Sequence, residues 1–332
     1  MKKTNMIGKG SYGCVFRPPI ACKHLKYMNK KHENDIMKVV DMTLQSNMEE
    51  EEISNYVREI DPEYDYFIPL SNDKCVVDEE DENLKECDIY MNDENKNSFR
   101  GIFAEYGGIN MYEYVQNNKI QGLNIGTVWK WMKHLANGIK LLHKHVIVHL
   151  NIKLDNIVLD NIYKPKLIDF GISHFAEDMK LNQIPGFYIL YPLFYSSLSV
   201  DNINTLYETY EQQAKYFIKN YSKKTNNDII QKIYSLSRRK ELYFDNAIKS
   251  NNYFLFENYP DGFDENAGIF KVDVYMLSLS FRNWIINNIP VKESNQNVVN
   301  ELTNIINDGV DINPYRQLNI DKLIRLLSSR PF

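Results

Sequence analysis

The sequence predicts an α+β protein in two lobes, a small antiparallel-sheet lobe over residues 1–106 and a larger helical lobe over 107–332. Three observations predict it. At 332 residues the chain exceeds the roughly 100 to 200 residues of an average domain. Runs rich in β-formers fall in its first hundred residues, and helical spacing of apolar residues dominates after about residue 107. Hydrophobic residues at 43%, aromatic residues at 13% and charged residues at 25% are the balance of a chain that buries a core, which excludes a disordered tail or a collagen-like spacer.

The elements follow in order. Met6 to Phe16 (MIGKGSYGCVF) places β-formers on both sides of a glycine-rich turn, the pattern of a hairpin that Pro18 and Pro19 end. Asp35 to Val40 (DIMKVV) reads as a short buried strand with one lysine, Lys38, inside it. Gln45 to Ile60 reads as a helix, with Ile53, Val57 and Ile60 at helical spacing and its acidic residues near the N-terminal end, where the macrodipole favours them. Residues 71–99 are acidic and polar and are expected to form an exposed insertion between two strands. Arg100 to Gly108 reads as a strand running into a glycine-containing connection. Ile125 to Lys144 and Val272 to Ile289 carry helical periodicity, the second apolar nearly all round and therefore buried. Between them, 201–250 reads as two amphipathic helices inside an insertion spanning 196–270, which suits either extra packing or the docking of a protein partner.

Net charge is −5, so no global positive field favours a nucleic-acid backbone or an anionic membrane, and neither is expected as a partner. The locally basic stretch from Lys23 to Lys31 has little aromatic interleaving and reads as a solvated loop. Cys14, Cys22, Cys75 and Cys87 include no CxxC pair and are sparse for a chain of this length, which predicts free thiols in a reducing compartment and a cytoplasmic protein. The histidines show no metal-ligand spacing with them.

Gly8 to Val15 (GKGSYGCV) matches G-x-G-x-x-G-x-V, in which missing Cβ atoms let backbone N–H groups approach phosphate oxygens. A dinucleotide site would follow the glycines with a helix; here Val15, Phe16 and two prolines follow, favouring a flap over a nucleotide. Three further blocks stand downstream: His149 to Asn156 (HLNIKLDN), Lys166 to Gly171 (KLIDFG) and Asp273 to Leu277 (DVYML). Together the four blocks resemble the eukaryotic-type protein kinase family, and look most like the divergent serine/threonine kinase-like proteins of large DNA viruses.

That resemblance, which runs from Ile7 to the final helix with two insertions, implies ATP and Mg²⁺ as cofactors and a protein substrate. It implies that Ile7, Gly8, Gly10, Gly13 and Val15 cover the nucleotide, that Lys38 holds its phosphates, and that a helix carboxylate orients Lys38. Glu52 is preferred for that carboxylate because it lies beside the Ile53 and Val57 stripe, with Glu49, Glu50 and Glu51 as rivals. Glu105 to Gly107 falls at the hinge that meets adenine, with Ala104 as a small gatekeeper; Asp169 and Asn156 fall at the metal positions, and Lys153 where serine/threonine kinases neutralise γ-phosphate charge. The family's catalytic aspartate is replaced: the chain has Asn151, whose amide orients a hydroxyl but is no useful base. Leu150 replaces an arginine that often pairs with a phosphorylated activation segment, and Phe194 stands where the family has a glutamate that pairs with a late arginine, here Arg316. The resemblance implies serine/threonine phosphorylation weakened at the base position; the alternatives are a nucleotide-binding pseudokinase scaffold and a small-molecule phosphotransferase of related fold.

Overall fold

The computed structural model describes residues 5–10, 13–23, 30–93, 95–117, 123–176, 265–282, 289, 291–310 and 318–330. One compact unit comprises Met1–Asp178, Asp273–Val310 and Leu318–Phe332; the other, Met179–Val272 with Asp311–Gln317, is described only over 265–272. The paired helices expected in 201–250, Phe194 and Arg316 lie outside the described residues.

The first unit has the two-lobed α+β arrangement. Its sheet contains β1 (Asn5–Lys9), β2 (Gly13–Arg17), β3 (Ile36–Asp41), β4 (Lys74–Cys75) and β5 (Phe99–Ala104) in the order β1-β2-β3-β5-β4, each neighbouring pair antiparallel. Side chains alternate between the faces of a strand, so each strand serves two environments. Cys14 and Phe16 of β2, Met37 and Val39 of β3, and Phe99 and Phe103 of β5 form one apolar cluster. Val40, Ile102 and Ala104 form a second with Leu70. Lys38 lies opposite Val15 on one side and Ile102 on the other.

The segment 71–99 differs from the exposed insertion expected of it. Leu84, Cys87 and Tyr90 are buried in the first cluster, and β4 extends the sheet. The acidic side chains between them mask a one-sided apolar pattern at spacing three, carried by a 3₁₀ turn at Glu82–Glu86 and the short helix α1 (Asp88–Asn92). The cysteines are likewise paired, not free: Cys14 bonds Cys87 and Cys22 bonds Cys75 across sequence separations of 73 and 53 residues. Spacing along the chain conceals such pairs, because burial against the sheet is what brings them together.

Helix α2 (Gln45–Ile60) has the predicted span and buries Asn47, Glu50, Ile53, Ser54 and Val57. After β5 come β6 (Ile109–Asn110), α3 (Met111–Asn117), α4 (Ile125–Lys144), β7 (Ile147–Val148), β8 (Ile157–Leu159), β9 (Pro165–Leu167) and β10 (His174–Phe175). Asn124 caps α4 by accepting from the Gly126 N–H at 2.8 Å, and the Trp129 indole N–H donates to the Leu327 carbonyl at 2.7 Å. Strands β6, β8 and β9 form one small sheet, β7 and β10 another. Helix α5 (Glu265–Ser280) starts earlier than the expected Val272, followed by α6 (Gln296–Gly309) and α7 (Ile320–Leu327). Val274, Tyr275, Met276 and Leu277 of α5 are all buried, as an apolar helix without a polar face requires. Among the described residues no helix is long and apolar enough to cross a membrane.

Candidate active site

Lys38 projects from β3 into a set of oxygen atoms. Its ammonium donates to Glu50 Oε1 at 2.6 Å and Oε2 at 2.7 Å, and to Asp169 Oδ1 at 3.2 Å. The carboxylate expected here was Glu52; the structure uses Glu50, and Glu52 is exposed. The reason is helical geometry. Glu50 lies three residues before Ile53 and seven before Val57, which places all three on one face, whereas adjacent residues such as 52 and 53 are turned about 100° apart. The spacing of Asn47, Glu50, Ser54 and Val57 was the signal in the sequence.

The Glu50 side chain is 2% exposed and that of Lys38 12%. Burial alone would lower the Lys38 amine, but Glu50 and Asp169 outweigh it and hold it above the ordinary lysine value. Burial raises the Glu50 carboxyl, opposing the Lys38 contact. These directions pull in opposite senses, and the two-oxygen contact at 2.6 and 2.7 Å supports the ionised pair. At Asp169 burial would raise the carboxyl, but the Lys38 charge prevails and holds it below the usual range.

The loop between β7 and β8 is anchored from behind. Buried Asp273, on α5, accepts the backbone N–H of His149 and of Leu150 at 2.9 Å each, and its Oδ2 lies 2.9 Å from His143 Nε2. Leu150 needs this support, since its φ of 60° is in the left-handed region that non-glycine residues rarely occupy. Burial would raise the Asp273 carboxyl, but its contact with His143 and the backbone N–H of His149 lower it. The Ser173 hydroxyl adds a third tie, donating to the His149 carbonyl at 3.0 Å. The fully buried Leu150 packs in the core, the place its apolar side chain suits and an arginine's would not.

From that loop Asn151 reaches Asp169, its amide Nδ2 donating to Asp169 Oδ2 at 3.1 Å. Asn156 Nδ2 donates to the Asn151 carbonyl at 3.0 Å, which leaves its amide oxygen as its remaining acceptor. Asp169 itself has φ of 66°, and Phe170 beside it is buried against His149, ring centroids 5.0 Å apart, and Phe67, 6.0 Å apart. Lys153 is exposed and accepts the Asn156 N–H on its carbonyl at 2.9 Å. Lys38, Asp169, Asn151 and Asn156 are thus joined in one chain of contacts.

The other candidates surround this set less directly. Ile7 is half exposed on β1, Gly8 follows a shift in the β1–β2 register, and the Gly10 N–H donates to the Gly13 carbonyl at 3.0 Å. Gly13 packs so closely that a Cβ there would lie 2.7 Å from the Val39 carbonyl oxygen. Val15 is cross-strand from Lys38. Ala104 is buried, Glu105 exposed, and Gly107 sits against Ile68 and Val158 with no room for a side chain. Arg17 stacks on the ring of Tyr106, 3.1 Å from its centroid, tying the hairpin to the same connection. A cavity of about 630 Å³ lined by Tyr114, Trp131, His134 and Tyr163 lies apart from all these residues. The sequence offers Glu50 only as a rival of Glu52 and carries no local sign of the structural task of Asp273 or of the ties from His143 and Ser173.

A buried lysine–glutamate pair facing a carboxylate stands beside the glycine-containing β1–β2 hairpin of the two-lobed fold. The sequence model of the family described as "Protein kinase domain" matches residues 1–186, and the chain belongs to the protein kinase family. It is similar to human dual specificity tyrosine-phosphorylation-regulated kinase 3, 36% identical over 69 residues, which are 20% of this chain and 12% of that protein. It is also similar to a probable receptor-like protein kinase of Arabidopsis thaliana, 33% identical over 86 residues, 25% of this chain and 10% of that protein. The chain therefore spans about a tenth of the length of the curated relatives it matches.

Proposed function

We propose that the protein catalyses ATP- and Mg²⁺-dependent phosphoryl transfer to serine or threonine of a protein substrate. The observation that carries this reading is the assembled contact of Lys38 with Glu50 and Asp169. Phosphoryl transfer depends mainly on positioning and charge stabilisation, and these residues supply both. Lys38 would grip the phosphates, with Lys153 adding positive charge near the transferred group. The donor set fits Mg²⁺, a hard cation that prefers oxygen: Asp169 offers a carboxylate and Asn156 an amide oxygen. When bound, the ion would bridge phosphate oxygens and neutralise charge. Asn151 would orient the substrate hydroxyl without removing its proton.

The test is transfer from γ-labelled ATP by the wild type and Asn151→Asp. A restored base is expected to raise turnover by about 10² to 10⁴; no transfer by either protein would end this reading. A second reading, a nucleotide-binding pseudokinase acting as a scaffold, is favoured by the engagement of the Asn151 amide with Asp169. It predicts Mg²⁺-ATP stabilisation of a few kcal/mol at saturating ligand with no transfer by the wild type.

A further inference from the structure

Both oxygens of Asp169 are occupied by nitrogen donors, Oδ1 by the Lys38 ammonium at 3.2 Å and Oδ2 by the Asn151 amide at 3.1 Å. An ionised carboxylate only accepts, so the amide nitrogen faces it and the Asn151 oxygen points elsewhere. Charge near the site balances: Lys38 and Lys153 are positive, Glu50 and Asp169 negative, Asn151 neutral. A carboxylate at 151 would leave the sum one unit negative and put two acceptor groups about 3 Å apart, an arrangement that needs a shared proton or a cation between them.

We propose that Asn151 is a positioning residue that holds Asp169 in place without a metal, so that nucleotide binding here depends less on divalent cation than it would with aspartate at this position. The inference rests on the nucleotide-binding part of the proposed function and concerns the order of events at that site. The carboxylate is poised before an ion arrives, and the triphosphate meets a neutral surface instead of an anionic one.

The experiment measures the affinity of a fluorescent ATP analogue by titration, with excess Mg²⁺ and with EDTA, for the wild type, Asn151→Asp and Asn151→Leu. Unfolding curves without ligand first establish that each variant is folded. On removal of Mg²⁺ the affinity of Asn151→Asp is expected to fall at least tenfold more than that of the wild type, as an added like charge at this range implies. A merely structural asparagine would leave the wild type and Asn151→Asp equally dependent on the cation. Asn151→Leu, neutral but without the donor, should bind the Mg²⁺ form several-fold more weakly than the wild type. Equal cation dependence in wild type and Asn151→Asp overturns the inference and leaves the proposed function standing, as does wild-type affinity in Asn151→Leu. No nucleotide binding by the wild type in either condition overturns both. Should Asn151→Asp fail to fold, the Leu comparison and the wild-type ratio decide, a wild type that binds only with Mg²⁺ counting against the proposal.

Discussion

The two faces of the five-stranded sheet are built from alternate residues of the same strands, yet they do opposite work. One face carries Met37 and Val39 into an apolar cluster closed by the 71–99 segment and two disulfides. The other carries Lys38, a residue costly to bury, to a partner carboxylate on α2. The first face obtains stability from desolvated side chains, each fully buried phenylalanine or isoleucine contributing about 1.5–3 kcal/mol. The second keeps charge in a fixed place. A period of two lets one strand do both, so a change on one face should leave the other largely intact.

The sharpest break in that division is Lys38→Met. It should reduce phosphoryl transfer by about 10²-fold or more, as removal of a fixed charge-stabilising donor does, and abolish the thermal shift caused by Mg²⁺-ATP. Unfolding of the ligand-free protein should remain cooperative, because the far face is untouched.

On that far face, Cys14→Ser with Cys87→Ser should lower stability by about 2–4 kcal/mol, the usual effect of opening one native disulfide. Urea unfolding with and without reductant measures it. The nucleotide-induced shift should persist in the folded fraction, and its loss would mean that the faces are coupled.

Gly13→Ala tests the seam between them. Its Cβ would meet backbone of β3 at 2.7 Å, and the strain should cost about 1–3 kcal/mol in thermal unfolding.

Acid should weaken the hold of Asp273 on its loop in a defined direction. The folded-state carboxyl of Asp273 is below its ordinary value of 3.8, so its stabilisation is fully present above that value and is lost as pH falls through the lower, folded one. Unfolding midpoints taken downward from about pH 6 should fall for the wild type and fall less steeply for Asp273→Asn. The smallest effect is expected from Glu52→Gln, within about 0.5 kcal/mol and without change in nucleotide affinity, while Glu50→Gln should weaken binding. Equal effects at 50 and 52 would contradict the geometry of α2.

Much of this was legible in order along the chain. The glycine hairpin, the span of α2, the span of α4 and the Asp169 block each carry a local signal, because turn chemistry and helical period act over a few residues. Helix α5 starts before the Val272 that its apolar run predicts, since an apolar helix with no polar face has no clear edge to read. Glu50 stands within a run of four glutamates, where charge is uniform and only the phase of the helix distinguishes one from the next. The acidic segment hid its buried face among solvated neighbours.

By itself the sequence determined which residue types were available for phosphate and metal, and that residue 151 lacks a base, because chemical identity needs no coordinates. Tertiary structure alone decided which glutamate meets Lys38, which cysteines pair, and that the Asn151 amide is spent on Asp169. These are contacts between residues 12 to 73 positions apart, and packing in three dimensions, not order along the chain, selects them.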